Sequence, residues 1–373
     1  MATPIRTLFV STSTTLGGAE KILSAIALGL DRARFDILGV ISLKPVGFYG
    51  ERMRERGLRV ESLGVGRFPG PREVLDLSRR LREAAPDLVV AFMYQAIELS
   101  RLVKKLPGAA FKLVSSPRVS YRSRGIATLA VDRVLRGEDD LLVAESESSR
   151  RHLVERLGYA PEKTAAIPNG VDAEFWAPDA KLRRRVRADL GLDETDFLLG
   201  AAGRLDRQKD HATLIRAFAQ LSSRSDDRAR LAILGEGGER RRLEALIGTL
   251  GIGDKARLWG EQHDPKALFC AFDAFVLPSL WEGLPNALLE AMSLGLPVIA
   301  SRVDGVEDVL TDGHDGLLVT PGDPGALAAA LARARAHPSE AHRWGEAARQ
   351  TIASRFSLPR MISAWSEALS GLF

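Results

Sequence analysis

The alternation of strand-like and helix-like patterns, repeated in two sets, most limits what this chain can fold into. In the first set Arg6–Val10, Asp36–Ile41, Leu88–Phe92, Lys112–Ser115 and Asp140–Ala144 read as strands. Helices are expected over Ala19–Leu30, with Ile22, Leu23, Ile26 and Leu30 on one face, and over Glu147–Leu157. In the second set Phe197–Ala202, Ala229–Leu234, Ala256–Trp259, Phe275–Leu277, Pro297–Ala300 and Gly316–Val319 read as strands. Helices such as Ala212–Ser222, Glu239–Leu250 and Ala326–Ala336 fall between them. Strands that alternate with helices argue for parallel α/β sheets. The turn-rich passage Ile167–Asp172, followed by Ala177-Pro178, separates the sets. The expected architecture is two Rossmann-like domains, 1–172 and 173–356. A length of 373 residues agrees with two domains at a prior of about 150 residues each.

Composition excludes several classes. No apolar run approaches the ~18 residues of a membrane span. The opening Met1–Val10 has too short an apolar stretch for a signal peptide and reads as a first strand. Cys270 is the single cysteine, among apolar neighbours, so it is expected in the core and no disulfide framework is available. Cytoplasm is the default compartment.

The chemistry concentrates in Ser279-Leu280-Trp281-Glu282-Gly283-Leu284-Pro285-Asn286-Ala287-Leu288-Leu289-Glu290. This run joins an apolar strand to a helix expected to begin near Pro285, since proline suits a first helical position. The amides of Asn286, Ala287 and Leu288 would then form an anion site at the helix start. Glu282 and Glu290 bracket it. Carboxylates do not bind phosphate, but they accept hydrogen bonds from hydroxyls, so the segment reads as a sugar-phosphate site. Upstream, Gly203–Asp210 follows a strand and precedes a helix. Arg204 and Lys209 lie at the carboxyl edge of that strand, where ligands of doubly wound sheets collect, and two cations suit a diphosphate. Asp210 is expected to cap the helix, with His211 structural in its first turn. Gly17 and Gly18, in Leu16–Lys21, let backbone approach a ligand at a helix start, although the dinucleotide fingerprint is absent.

Two glutamates separated by seven residues, with Glu-Gly-Leu-Pro-Asn after the first, resemble the signature of retaining glycosyltransferases of glycosyltransferase family 4. That family more often has Phe where this chain has Leu284. Gly203-Arg204…Lys209 resembles its Gly-Arg…Lys motif, and Gly17-Gly18-Ala19-Glu20 its glycine loop. The resemblance implies a GT-B fold, two Rossmann-like domains facing a central cleft, with a last helix (residues 357–373) crossing back to the first domain. It implies a diphosphate role for Arg204 and Lys209, with Glu282 on the donor sugar and Glu290 on the ribose. Gly283, Leu284, Pro285, Asn286, Ala287 and Leu288 would hold the phosphate. The loop at Gly235 and the strand end at Trp259 would lie on the nucleotide side. Many relatives place a histidine in the N-terminal domain. This chain has none before His152, and Arg118 stands near where it would be.

The sequence therefore predicts retaining transfer from a nucleoside-diphosphate sugar to an acceptor in cell-surface glycan, lipid-linked glycan or polysaccharide synthesis. A UDP-sugar is favoured over a GDP-sugar. No cofactor or metal is expected: Asp/His clusters are missing, and Asp139-Asp140 reads as a surface acidic pair. A GT-B-like sugar-nucleotide epimerase and a nucleic-acid glucosylating or binding protein are the alternatives. Between Arg101 and Arg136 nine cations (Arg101, Lys104, Lys105, Lys112, Arg118, Arg122, Arg124, Arg133 and Arg136) face one acid, Asp132. That excess suggests an anionic partner, such as the inner face of a membrane for a peripheral enzyme. Phe111 and Tyr121 are the sole aromatics there, too few to stack bases, so a nucleic-acid partner is disfavoured.

Overall fold

The computed structural model of the chain describes residues 3–118, 125–222 and 228–373. Two compact units emerge: Met1–Gly170 with Leu358–Phe373, and Val171–Ser357. The division falls between Gly170 and Val171 rather than after Asp172. The Val171 N–H donates to the Phe356 carbonyl (2.8 Å) and Val171 bridges to Ser357, so both crossing segments are tied into the second unit.

In the first unit seven parallel strands form one sheet: β1 (Ile5–Ser11), β2 (Phe35–Ser42), β3 (Val60–Ser62), β4 (Leu88–Phe92), β5 (Lys112–Ser116), β6 (Leu141–Ala144) and β7 (Thr164–Ala166). Their order is β3-β2-β1-β4-β5-β6-β7. The helices between them are α1 (Gly18–Gly29), α2 (Phe48–Glu55), α3 (Pro71–Ala84), α4 (Tyr94–Lys104), α5 (Ile126–Leu135) and α6 (Glu147–Leu157). β4 is buried along its whole length, as expected of a parallel strand covered on both faces. One cover holds Ile22, Leu23 and Ile26, the other Leu77, Ile97 and Leu99. The edge strands β3 and β7 escape sequence reading because three residues carry no period.

The second unit contains α7 (Ala180–Asp189), then β8 (Phe197–Ala202), α8 (His211–Leu221), β9 (Ala229–Leu234), α9 (Arg240–Thr249) and β10 (Ala256–Gly260). Next come α10 (Lys266–Ala271), β11 (Ala274–Leu277), α11 (Asn286–Ser293), β12 (Val298–Ser301), α12 (Asp304–Glu307), β13 (Leu317–Val319), α13 (Pro324–Ala336) and α14 (Pro338–Arg355). All strand pairs are parallel, in the order β10-β9-β8-β11-β12-β13. Cys270 is buried in this unit's core beside Phe269 and Phe275, as its neighbours suggested.

The last helix, α15 (Leu358–Ser370), belongs to the first unit. Met361, Trp365 and Leu369 form a buried stripe at four-residue spacing. Trp365 stacks on Phe92 with ring centroids 5.8 Å apart. The helix spans Leu358–Ser370, inside the expected residues 357–373.

Candidate functional site

The strand order of the second unit reverses between β8 and β11, and ligands of open α/β sheets sit outside the carboxyl ends of strands at such a switch point. Two loops leave those strand ends, residues 203–210 after β8 and 278–285 after β11. The Leu280 N–H donates to the Gln208 carbonyl (2.8 Å), which ties their main chains together. The Lys209 ammonium meets Oε1 of Glu282 at 2.5 Å, with side chains 15% and 5% exposed. The Ser279 hydroxyl donates to the same oxygen at 2.6 Å. Gln208 Nε2 donates to the Trp281 carbonyl at 2.9 Å and lies 3.5 Å from Oε2 of Glu282. Two residues placed on separate ligand groups by their motifs are thus direct partners here.

Arg204 shares the loop but not the environment. Its side chain is 73% exposed and lies 3.4 Å from Asp206. Asp210 caps α8 as expected, accepting from the Thr213 hydroxyl at 2.6 Å, with its own φ at +42°. His211 is buried in the first turn behind them. Burial, and then the charge of Lys209, lowers its pKa to about 4, so the imidazole is neutral at physiological pH.

α11 starts one residue later than proline statistics suggest. Pro285 is the cap, with extended backbone (φ −77°, ψ 115°), and the helix begins at Asn286. The Leu288 N–H donates to the Pro285 carbonyl at 3.1 Å, so the expected anion site loses one of its three amides to the turn itself. Asn286 and Ala287 open the helix, Leu284 just before it is buried, and Glu290 is buried inside the helix. Gly283 is held by a close approach: a Cβ at Gly305, in α12, would lie 1.5 Å from the Gly283 carbonyl oxygen.

On the far side of β8, Gly235 follows β9 with φ at +134°. Its N–H donates to Gly260 (2.7 Å), and a Cβ there would lie 2.0 Å from the Gly203 carbonyl oxygen. The strand-end loops of β8, β9 and β10 are therefore packed backbone to backbone. Trp259, half-buried at the end of β10, carries the exposed Arg257 guanidinium over its ring at 5.1 Å. Gln208, Ser279 and Gly305 were not foreseen. The first two adjoin motif residues, which is a usable signal; Gly305 has none, because its partner is 22 positions away.

In the first unit, Gly17 caps α1 and Gly18 opens it, beside the end of β1. Buried Glu20 turns back over this loop and accepts from Ser13 (2.5 Å) and Thr15 (3.4 Å). Arg118, the residue expected on the acceptor side, packs within the first unit. Its guanidinium lies beside the stacked Phe92 and Trp365 rings, 5.1 and 5.5 Å from their centroids, and it donates to Ser116 (2.8 Å) and to Asn169. Burial lowers its pKa to about 10. Its Nη2 is buried with no hydrogen-bond partner among the described residues.

The basic run from Arg101 to Arg136 is also mostly matched from within. Arg101 is fully buried against Glu98, Asp132 and Asp139, and Tyr159 adds a hydrogen bond. Lys104 and Lys112 pair with Asp140, and Lys105 with Glu138. Arg136 donates to the Leu157 carbonyl. Arg122, Arg124 and Tyr121 lie outside the described residues, and Arg133 is exposed. The expected anion-attracting face thus loses cations to acids that lie just past the run or three residues apart on α4. Asp139 is not the surface acid that Asp139-Asp140 suggested: it is buried, and burial raises its pKa despite Arg101. Among the described residues, no group of three or more His, Cys, Asp or Glu could hold a metal. No described helix is long and apolar enough to cross a membrane.

Comparison with known proteins gives the site a context. The family described as "Glycosyl transferases group 1" matches residues 183–351, and "Glycosyl transferase 4-like domain" matches residues 17–170. The lipopolysaccharide core biosynthesis glycosyltransferase LpsD of Rhizobium meliloti is 36% identical over 275 residues, 65% of this chain and 79% of that protein. The D-inositol 3-phosphate glycosyltransferase of Stackebrandtia nassauensis is 35% identical over 204 residues, 52% of this chain and 46% of that protein. Among solved structures, Anabaena HepE in complex with UDP-glucose superposes with a TM-score of 0.88 at 24% identity, covering 98% of this chain and all of that one.

Proposed function

We propose that this chain, which belongs to the group 1 glycosyl transferases with a glycosyl transferase 4-like domain ahead of the group 1 region, transfers a sugar from a uridine diphosphate sugar to a hydroxyl of a cell-surface or lipid-linked glycan, with retention and without a metal ion. The observation that carries the site assignment is the Lys209–Glu282 pair at the switch point, with the α11 helix start beside it. The relatives' names support the acceptor class, as LpsD acts in lipopolysaccharide core biosynthesis. HepE, which shares the fold, binds UDP and UDP-glucose.

In this reading Lys209, the exposed Arg204 and the start of α11 neutralise the diphosphate as its charge builds, the task a metal performs elsewhere. Glu290 takes the ribose hydroxyls and Glu282 a hydroxyl of the donor sugar, following the family resemblance. Because one oxygen of Glu282 already holds Lys209 and Ser279, this carboxylate is poorly prepared to attack carbon. A front-face route follows. The bond from anomeric carbon to phosphate oxygen breaks, the acceptor oxygen bonds to the same face, and the departing phosphate takes the acceptor proton.

A screen of uridine, guanosine and adenosine diphosphate sugars tests the donor. The right one at 100 times its dissociation constant should stabilise the fold by about 2.7 kcal/mol. Stabilisation by none of them would overturn the donor reading. NMR of the first-formed linkage tests stereochemistry, and inversion would refute retention. A glycosyl ester trapped on Glu282 would reject the front-face route alone.

A further inference from the structure

The two oxygens of Glu282 are not equivalent. Oε1 accepts from the Lys209 ammonium at 2.5 Å and from the Ser279 hydroxyl at 2.6 Å. A carboxylate oxygen offers about two lone-pair sites, so this one is filled. Oε2 faces the Gln208 amide at 3.5 Å, the outer limit of a hydrogen bond. That amide makes its shorter bond, 2.9 Å, to the Trp281 carbonyl. Gln208 is itself anchored, because its carbonyl accepts from Leu280 N–H at 2.8 Å. Ser279 is fully buried. The carboxylate is therefore gripped at one oxygen and braced at the main chain beside it, which leaves the other oxygen under-filled.

We infer that Ser279 and Gln208 are positioning residues that fix the Glu282 carboxylate so that Oε2 receives one hydroxyl of the donor sugar, and that they thereby set which sugar epimer is transferred. The inference rests on the donor reading above. A carboxylate free to rotate can follow a hydroxyl moved to the opposite face of the ring. One locked by Ser279 and Gln208 cannot, and the wrong epimer leaves Oε2 buried without its partner. Bonds to charged groups of this kind are worth roughly ten- to one-hundred-fold in rate. The Lys209 contact also links the sugar-binding carboxylate to the diphosphate-binding ammonium, so a misaligned sugar disturbs both ends of the donor.

The test uses the full chain and the variants Ser279→Ala, Ser279→Thr, Gln208→Ala and Gln208→Glu. For each, the dissociation constant of UDP alone is measured, together with kcat and KM for UDP-glucose, UDP-galactose and their N-acetylated counterparts. The expected result is UDP affinity within about two-fold of wild type in Ser279→Ala and Gln208→Ala. Their kcat/KM for the preferred donor should fall about ten- to one-hundred-fold, and the preference over its C4 epimer should shrink toward one. Ser279→Thr, which keeps the hydroxyl, should restore much of the preference. Gln208→Glu, which sets a second carboxylate against Oε2, should be the slowest variant. An unchanged epimer preference in both alanine variants would overturn the inference while leaving the donor reading intact. Equal losses of UDP affinity and turnover would assign the two residues a purely structural part and overturn it as well. Wild-type protein that binds neither UDP nor any of these donors would sink the donor reading, and the inference with it.

Discussion

Lys209 and Arg204 look alike in sequence, yet their environments predict different losses. Lys209→Ala removes the partner of a nearly buried carboxylate, so turnover should drop by the equivalent of about 3 kcal/mol or more, and the fold should lose stability of similar order. Arg204→Ala removes an exposed side chain, so turnover should fall while the urea midpoint stays at the wild-type value. Near wild-type turnover in both would refute the diphosphate assignment. His211 adds a pH dependence. Its folded pKa of about 4 lies below the ordinary value near 6.5, so between those limits the unfolded chain binds a proton that the fold refuses. Its stabilising contribution is present above about pH 6.5. It is lost as pH falls toward 4, by about 3 kcal/mol in total. Urea unfolding at pH 7.5 and pH 4.5 should show a smaller difference for His211→Asn than for wild type. An equal difference would refute the role.

At the level of elements, two contacts hold the loops and helices in register. Gly305 in α12 presses on Gly283, and an added Cβ would meet a backbone oxygen, which cannot rotate away. Gly305→Ala should cost about 1–3 kcal/mol of stability and lower kcat/KM at least ten-fold by displacing Glu282. Wild-type kinetics in that variant would show that the loop tolerates the shift. In the first unit, Arg101 of α4 gathers acids from its own helix, from α5 and from the segment before β6. Arg101→Met would leave three buried carboxylates without their cation. Chemical denaturation should then register a loss of about 3–5 kcal/mol. A midpoint at the wild-type value would mean that the acids neutralise themselves at little cost.

On the scale of the whole molecule, the first unit is completed by the far end of the chain. Met361, Trp365 and Leu369 of α15 are all buried in its core, each contributing about 1.5–3 kcal/mol by burial. A chain truncated at Ser357 should therefore lose the first unit's fold, read as rapid proteolysis within residues 3–170, while the second unit keeps its own core. Protection of both units after truncation would refute this. If the proposed diphosphate role of Lys209 and Arg204 holds, activity of the full chain should persist in excess EDTA. Loss in EDTA with rescue by magnesium or manganese would refute metal independence.

Alternating periods alone determined the class of fold and most of its strands. β4, β8 and β9 match their expected limits, because a buried parallel strand is apolar throughout and its boundaries are sharp in the sequence. Arg204, Lys209 and Glu282 stand out in the sequence because each lies in a local motif at a strand end, and Glu290 because of its spacing from Glu282. The structure alone decided the partnerships. That Lys209 binds Glu282, that Arg118 packs on Phe92 and Trp365, and that Lys104, Lys105 and Lys112 meet acids are facts of contact between residues 26 to 247 positions apart. A chain shows its periods and its turn chemistry locally. Which charge neutralises which depends on the strand order, which brings distant strand ends together at one edge of a sheet.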